Sequence, residues 1–171
     1  MNIKINLNKG FGIVEALVGI TIAALLLVTF TTLIWQTIKI NNANAKDLKA
    51  TMYLQELIEV AKDLEQSDWD ELTKDACNIS IDSNYKCHPY IDIVLQKWFL
   101  STSGKEYLEN NTYTRWLTIE NVSRDPATNE IVTSGGVDDP NTKKVKAEIK
   151  WNNGFQDRNL TLETYVYNYN P

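Results

Sequence analysis

The amino-acid sequence predicts an α+β protein in which one long N-terminal helix precedes an antiparallel sheet of about four strands. Residues 16–38 contain no charged side chain, which is typical of a membrane-spanning helix. Apolar residues then recur with helical period over 54–64, and from residue 112 onward the apolar period changes to two. The residues after the long helix are enough for one small domain.

The overall charge is acidic, with 22 acidic against 17 basic side chains and a net charge of −5. An acidic exterior disfavours a broad electrostatic surface for nucleic acid, so nucleic acid is not an expected partner. One predicted strand nevertheless carries a local basic stripe of Lys143, Lys144, Lys146 and Lys150. This stripe leaves DNA uptake as a minor alternative.

The charge-free run is too long for an ordinary secretory signal and continues past Ala23 and Ala24 without a cleavage site. We therefore expect residues 11–40 to form a transmembrane helix. Lys4 and Lys9 precede the run, which predicts a cytoplasmic N-terminus and an extracytoplasmic C-terminal domain.

Glu15 lies at the start of this apolar segment. An unpaired carboxylate is costly in lipid, so such an acid indicates a function. The alternative is that Glu15 reaches back to the cytoplasmic headgroups, because it lies close to the end of the segment.

The stretch from Lys9 to Val18, with Gly10, Phe11 and Glu15 at their positions, resembles the class III signal of type IV pilins and type II secretion pseudopilins. The resemblance implies that a prepilin peptidase removes residues 1–10 after Gly10 and that Phe11 becomes the methylated N-terminus. It also implies that Glu15 pairs with the terminal amine of a neighbouring subunit. Gly12 departs from the Thr or Ser that is common in the family.

The family resemblance further implies a pilin-like lollipop fold and a set of partners. These partners are other pilin or pseudopilin subunits, the inner membrane, an assembly ATPase and a platform membrane protein. Residues 41–66 are predicted to continue the same helix as its amphipathic half. Its apolar stripe consists of Leu54, Leu57, Ile58, Ala61 and Leu64, and we expect it to pack on the chain's own sheet.

Residues 67–112 lie where the family has its variable loop between helix and sheet. Ser67 with Asp70 predicts a capping box for a short helix. Residues 91–99 carry apolar side chains with helical spacing, although two strands also fit. Cys77 and Cys87 predict a disulfide if the domain is extracytoplasmic, and two reduced thiols are the alternative. A zinc site is disfavoured, because His88 adds only a third ligand without zinc-type spacing.

Residues 113–171 are predicted to form the antiparallel sheet. Strands are expected near 116–122, 129–133, 144–151 and 160–167, with Arg115 and Glu120 facing outward. The strand ending at Trp151 and the sequence from Leu160 to Tyr165 resemble the sheet of minor pilins and minor pseudopilins. This resemblance favours a minor subunit over a major one.

Enzymatic chemistry has little support in the sequence. There is one histidine, no nucleophile motif and no phosphate-binding glycine loop, so we expect neither an enzyme nor a cofactor. His88 could form a dyad with Cys87 only if that thiol were free. Asp138 and Asp139 before Pro140 are a calcium candidate, with a solvated turn as the alternative. The aromatic residues of the sheet are expected to pack in the core and on the face of the sheet, and they are Tyr113, Trp116, Trp151, Tyr165, Tyr167 and Tyr169.

The sequence thus predicts a minor structural subunit of a type IV pilus or type II secretion pseudopilus, in the membrane before assembly and in a filament after it. The alternative is a binding module at the filament tip, an adhesin or a DNA-uptake subunit. An anchored extracytoplasmic enzyme is a third, disfavoured hypothesis.

Overall fold

A computed structural model describes residues 11–169 of the chain. The long helix α1 spans Phe11–Ser67, and the chain divides into two compact units, Met1–Asn42 and Ala43–Pro171. The predicted leader with the cleavage position Gly10 lies outside the described residues, as does the side chain of Phe11.

Within the second unit, α1 packs one apolar stripe against an antiparallel sheet, which confirms the predicted α+β fold class. Leu57, Ala61 and Leu64 on this stripe are completely buried, and Leu54 is nearly so. They share one core with apolar residues of the sheet, which are Tyr113, Leu117, Ile119, Val145, Ala147 and Ile149. Full burial of a leucine side chain stabilises the fold by about 1.5–3 kcal/mol, so burial of this stripe is the main interaction between the helix and the sheet.

The remaining elements follow α1 in chain order. Helix α2 covers Trp69–Leu72, and a 3₁₀ turn covers Asp75–Cys77. The strands are β1 (His88–Asp92), β2 (Lys97–Ser101), β3 (Glu106–Leu108), β4 (Tyr113–Arg124), β5 (Ile131–Val132), β6 (Val137–Asn152) and β7 (Asp157–Tyr167). The main sheet has the order β3-β4-β6-β7, β5 pairs with the far end of β4, and β1 and β2 form a separate hairpin.

The hairpin corrects one prediction, because residues 91–99 do not form the short helix that their spacing suggested. Ile91 lies opposite Trp98, and the rings of Tyr90 and Phe99 stack with centroids 5.8 Å apart. The apolar residues meet across two strands rather than along one helix face. The alternative interpretation, two strands, is confirmed.

The sheet also begins earlier than residue 113, because β3 pairs with β4. Strand β6 likewise begins at Val137, earlier than the strand predicted near 144–151. The register between β4 and β6 shifts between Asn121 and Val122. Asn121 lies opposite Lys143, whereas its neighbour Val122 lies opposite Asp139. Pro140 lies in this irregularity, where its missing N–H removes no ladder hydrogen bond.

The short helix α2 is capped by Asp68, not by the predicted Ser67. Ser67 is the last residue of α1, and Asp68 Oδ1 accepts the N–H of Glu71 at 3.0 Å. The predicted orientation of Arg115 was also wrong. Arg115 lies opposite Ile149 on the core face of the sheet and is only 4% exposed, whereas we expected it to face outward.

The alternation predicted for β6 is confirmed, since Val145, Ala147 and Ile149 are fully buried. Strand β7 is one edge of the sheet, and its inward residues are covered only in part. Leu160 and Leu162 remain 38% and 41% exposed, while Val166 is buried.

Candidate functional site

The first part of α1 presents an apolar surface that nothing in its own unit covers. Its most hydrophobic 18-residue window has a mean hydropathy of 2.5 and no buried residue. The segment is therefore long and apolar enough to cross a bilayer, in agreement with a single-pass membrane protein. The large exposed side chains before residue 39 are Ile13, Val14, Leu17, Val18, Ile20, Ile22, Leu25, Leu26, Leu27, Val28, Phe30, Leu33, Ile34, Trp35 and Ile38.

The threonines of this segment satisfy their own hydroxyl groups. Thr21 donates to the carbonyl of Leu17 at 2.7 Å, and Thr32 donates to the carbonyl of Val28 at 2.6 Å. Thr29, Thr31 and Thr37 make the same kind of bond to carbonyls three or four residues earlier. These bonds remove the cost of placing hydroxyl groups in an apolar medium.

Glu15 is the exception in this surface. Its side chain is exposed and makes no hydrogen bond or ion pair with any other residue in 11–169. It is also the only acid of α1 before Asp47. The carboxylate therefore has no partner within the described part of the chain that would compensate its charge in an apolar environment.

On one side of α1, the buried guanidinium of Arg115 joins the helix to the sheet. Its Nη1 donates to Glu56 Oε2 at 2.9 Å and to the carbonyl of Tyr53 at 3.0 Å, and its Nε donates to Glu106 Oε2 at 2.6 Å. Burial opposes the charge, but the hydrogen bonds to Glu56 and Glu106 raise the pKa of Arg115 overall. The cation is thus held charged between two carboxylates.

On the other side, Asp47 and Glu65 of α1 accept hydrogen bonds from β6 and β7. Trp151 Nε1 donates to Asp47 Oδ1 at 2.8 Å, and Arg158 Nη2 lies 3.5 Å from Asp47 Oδ2. The N–H of Tyr167 donates to Glu65 Oε1 at 2.7 Å. The part of α1 after Asn42 is therefore fixed to the sheet along both sides.

Sequence reasoning missed these tethering residues. Arg115 and Glu56 lie 59 positions apart, and Asp47 and Trp151 lie 104 positions apart. No local pattern joins such pairs. The only signal was that Arg115 occupies a position in β4 whose neighbours two residues along the strand, Tyr113 and Leu117, are apolar.

Cys77 and Cys87 form the predicted disulfide, with their Cα atoms 5.4 Å apart and both side chains fully buried. Backbone bonds fix the same loop to β4, since the N–H of Ile79 donates to Ile119 and the N–H of Cys87 donates to Leu117. The disulfide leaves no thiol for a dyad with His88, whose Nδ1 lies 3.2 Å from the carbonyl of Gly104.

The calcium candidates Asp138 and Asp139 adjoin each other on β6. Asp139 Oδ2 accepts from Arg124 at 2.6 Å, and the hydrogen bonds from Thr142 and Arg124 lower its pKa. Asp138 is exposed. Among residues 11–169, no group of three or more His, Cys, Asp and Glu side chains is placed to hold a metal ion.

Two of the four lysines in the basic stripe on β6 are paired with carboxylates. Lys144 pairs with Glu163 at 2.8 Å, and Lys146 lies 3.5 Å from Glu148. Lys143 donates to the side chain of Asn121. Lys150, like Lys143, has no carboxylate partner within 11–169, and it lies over the ring of Trp116.

The aromatic residues of the sheet are divided between buried and exposed positions. Tyr113, Trp116 and Trp151 are buried. Tyr165 and Tyr167 on β7 are each 40% exposed, and Tyr169 beyond the strand is 67% exposed.

Comparisons of the chain with protein-family models, with curated proteins and with solved structures find no match. The fold and the exposed apolar segment are therefore the observations that bear on the class of this protein. A long apolar N-terminal helix whose second half packs on an antiparallel sheet is compatible with a pilin-like fold.

Proposed function

We propose that the chain is a minor structural subunit of a type IV pilus or type II secretion pseudopilus filament. The observation that carries the proposal is the exposed apolar segment of α1, with one acid near its start. Lys9, Gly10 and Phe11 stand directly before this segment, in the order that the prepilin signal requires. Such a subunit works by assembly and not by catalysis.

In this proposal a prepilin peptidase cuts between Gly10 and Phe11. The cut creates a positively charged amine at Phe11, four residues before Glu15. An assembly ATPase and a platform membrane protein then move the helix from the bilayer into a bundle of like helices. There the exposed apolar side chains of α1 pack against those of neighbouring subunits, which replaces lipid contact by protein contact.

The carboxylate of Glu15 meets the amine of a neighbouring subunit in such a bundle. Two unit charges 4 Å apart attract each other by about 4 kcal/mol at an effective dielectric constant of 20, against about 1 kcal/mol in water. A shift of one subunit along the bundle would leave both charges unpaired. The pair therefore sets the axial register of the filament.

The test compares Glu15→Gln with Glu15→Asp in cells that also contain the wild-type partner subunits. We expect Glu15→Gln to be cleaved after Gly10 but to enter filaments at least about tenfold less than wild type, because one lost charge pair is worth more than 1.4 kcal/mol. Glu15→Asp keeps the charge and should retain most of the incorporation. Normal incorporation of Glu15→Gln, measured by immunoblot of sheared filaments, would contradict the proposal.

A binding module at the filament tip is the second candidate function, and the hairpin of β1 and β2 favours it. The turn presents Ile93, Val94 and Leu95, which are 86%, 89% and 64% exposed. Asp92 Oδ1 fixes the turn by accepting the N–H groups of Val94 at 2.8 Å and Leu95 at 3.0 Å. Three successive apolar side chains held outward in this way are typical of a contact surface.

The two candidates are separated by replacing Ile93, Val94 and Leu95 together with serine. A tip module should retain the number of filaments and lose binding of the filaments to their target, either a surface or DNA. A purely structural subunit should retain both. The control is Tyr107→Ser on β3, which removes another large exposed side chain, 61% exposed, elsewhere on the domain.

A further inference from the structure

An open cleft of about 650 Å³ lies at the end of the sheet where the loop between β3 and β4 meets the turn between β6 and β7. Its volume lies within the range of small-ligand sites. Three cations line it, which are Lys46 of α1, Lys150 of β6 and Arg158 of β7. This convergence is unusual in a chain whose net charge is −5.

Two of the three cations of this cleft have no carboxylate partner among residues 11–169. Lys46 Nζ has only the carbonyl of Asn152 as a partner at 3.4 Å, and Lys150 has no carboxylate partner in the described chain. Arg158 contacts Asp47 through Nη2 alone, which leaves its other N–H groups for a ligand. Asp157 is the one acid among the lining residues, and it accepts a hydrogen bond from Asn152 at 2.7 Å.

Neutral donors complete the lining. The side-chain amides of Asn110 and Asn111 line the cleft, are exposed, and make no hydrogen bond with any residue in 11–169. Their backbone is held in an uncommon conformation, because Glu109, Asn110 and Asn111 all have left-handed φ values of 50°, 54° and 66°. Such a run is costly for non-glycine residues and persists only where contacts on both sides impose it.

Those contacts are present on both sides of the run. Glu109 accepts the Tyr53 hydroxyl group at 2.7 Å and pairs with Lys49. Thr112 donates both its N–H and its hydroxyl group to the carbonyl of Glu109, at 3.1 and 2.7 Å. The loop is thereby fixed to α1 before it presents the two amides.

We propose that this cleft binds a phosphate group. Three cations, set against Asp157 in the lining and Asp47 beside Arg158, leave a local charge of about +1, which complements the negative charge of a phosphate group. Lysine and arginine donate charge-assisted hydrogen bonds to phosphate oxygens, and the two asparagine amides supply further donors. The phosphate can belong to a soluble molecule or to a phospholipid headgroup, since Lys46 follows the charge-free run by only eight positions.

The test uses the full chain in non-ionic detergent, with ¹⁵N NMR of the asparagine side-chain amides and the tryptophan indoles during titration with inorganic phosphate. We expect saturable shifts of Asn110, Asn111 and Trp151. Lys46→Gln and Lys150→Gln should each weaken binding about tenfold, as expected for one charge-assisted hydrogen bond. Lys143→Gln makes the same charge change on the same strand outside the cleft, so it should bind like wild type.

A second arm identifies the source of the phosphate. The full chain is placed in bilayer discs of phosphatidylcholine, with and without phosphatidylglycerol, in phosphate-free buffer. If phosphatidylglycerol reproduces the shifts, and Lys150→Gln abolishes them, the cleft takes a lipid headgroup. If only free phosphate produces them, the ligand is soluble. The proposal is overturned if neither probe gives saturable shifts, or if Lys143→Gln weakens binding as much as Lys150→Gln.

Discussion

The guanidinium of Arg115 is the most completely enclosed charge described in the chain, and its surroundings explain why it is tolerated. Its side chain is 5% exposed, while its partners Glu106 and Glu56 are 24% and 40% exposed. The carboxylates thus keep contact with water, and most of the desolvation falls on the cation. Arg115 therefore holds the helix to the sheet at a point where an apolar side chain would leave Glu56 without its partner.

Replacing Arg115 by methionine keeps much of the volume and removes the charge. We expect the free energy of unfolding to fall by about 2–3 kcal/mol, less than for a fully buried pair, because the remaining carboxylates can hydrate. Urea unfolding of the full chain in detergent, followed by tryptophan fluorescence, measures this. Lys146→Met, at a half-buried pair on β6 with a longer N–O distance of 3.5 Å, should change stability by less than about 0.5 kcal/mol. Equal effects of the two variants would contradict the role given to Arg115.

Asp68 predicts how stability depends on pH. The hydrogen bonds from Lys97 and from the N–H of Glu71 lower the pKa of Asp68 below its ordinary value of 3.8. Because the folded state favours the ionised form, this stabilisation is complete above pH 3.8 and is lost as the pH falls through the lower folded-state pKa. Asp68→Asn should therefore cost about 0.5–1 kcal/mol at pH 7 and progressively less as the pH falls below 3.8. A difference that does not shrink as the pH falls below 3.8 would contradict this assignment.

Among the elements, the loop between α2 and β1 depends on its disulfide more than on regular structure. Residues 78–87 contain no helix or strand, and two backbone bridges join their ends to β4. Closing a loop of this length by a covalent bond restricts the unfolded chain. The disulfide thus restrains a loop that has no regular hydrogen bonding of its own.

The double variant Cys77→Ser with Cys87→Ser should lower the free energy of unfolding by about 2–3 kcal/mol, the value expected for a loop of roughly ten residues. Wild type treated with a reductant should show the same loss. Proteolysis should then cut first within residues 78–87. Unchanged stability on reduction would mean that the packing of the loop on β4 is sufficient without the covalent bond.

The elements that could be predicted from the sequence are those with a local period. The stripe from Leu54 to Leu64 and the alternation of Val145, Ala147 and Ile149 each contain their own signal. The early start of β6 and the inward position of Arg115 depend on register between distant strands, which no local pattern encodes. The hairpin of β1 and β2 was ambiguous because apolar residues facing each other across a turn imitate helical spacing.

At the scale of the whole molecule, one of the two candidate sites could be predicted from the sequence and the other could not. The apolar segment and Glu15 are predictable because length, charge and position are local properties of the chain. The phosphate cleft is not, since Lys46, Asn110 and Arg158 come together only through the fold. The first of these sites serves assembly in our proposal, and the second serves ligand binding.

The central claim, that the chain is processed as a prepilin and assembled through its N-terminal helix, is tested most directly at the new N-terminus. The measurement is the intact mass and terminal peptide of the chain isolated from cells that contain a prepilin peptidase. Our account predicts a chain that begins at N-methylated Phe11, and a Gly10→Val variant that retains residues 1–10. A wild-type chain that still begins at Met1 in those cells would contradict it.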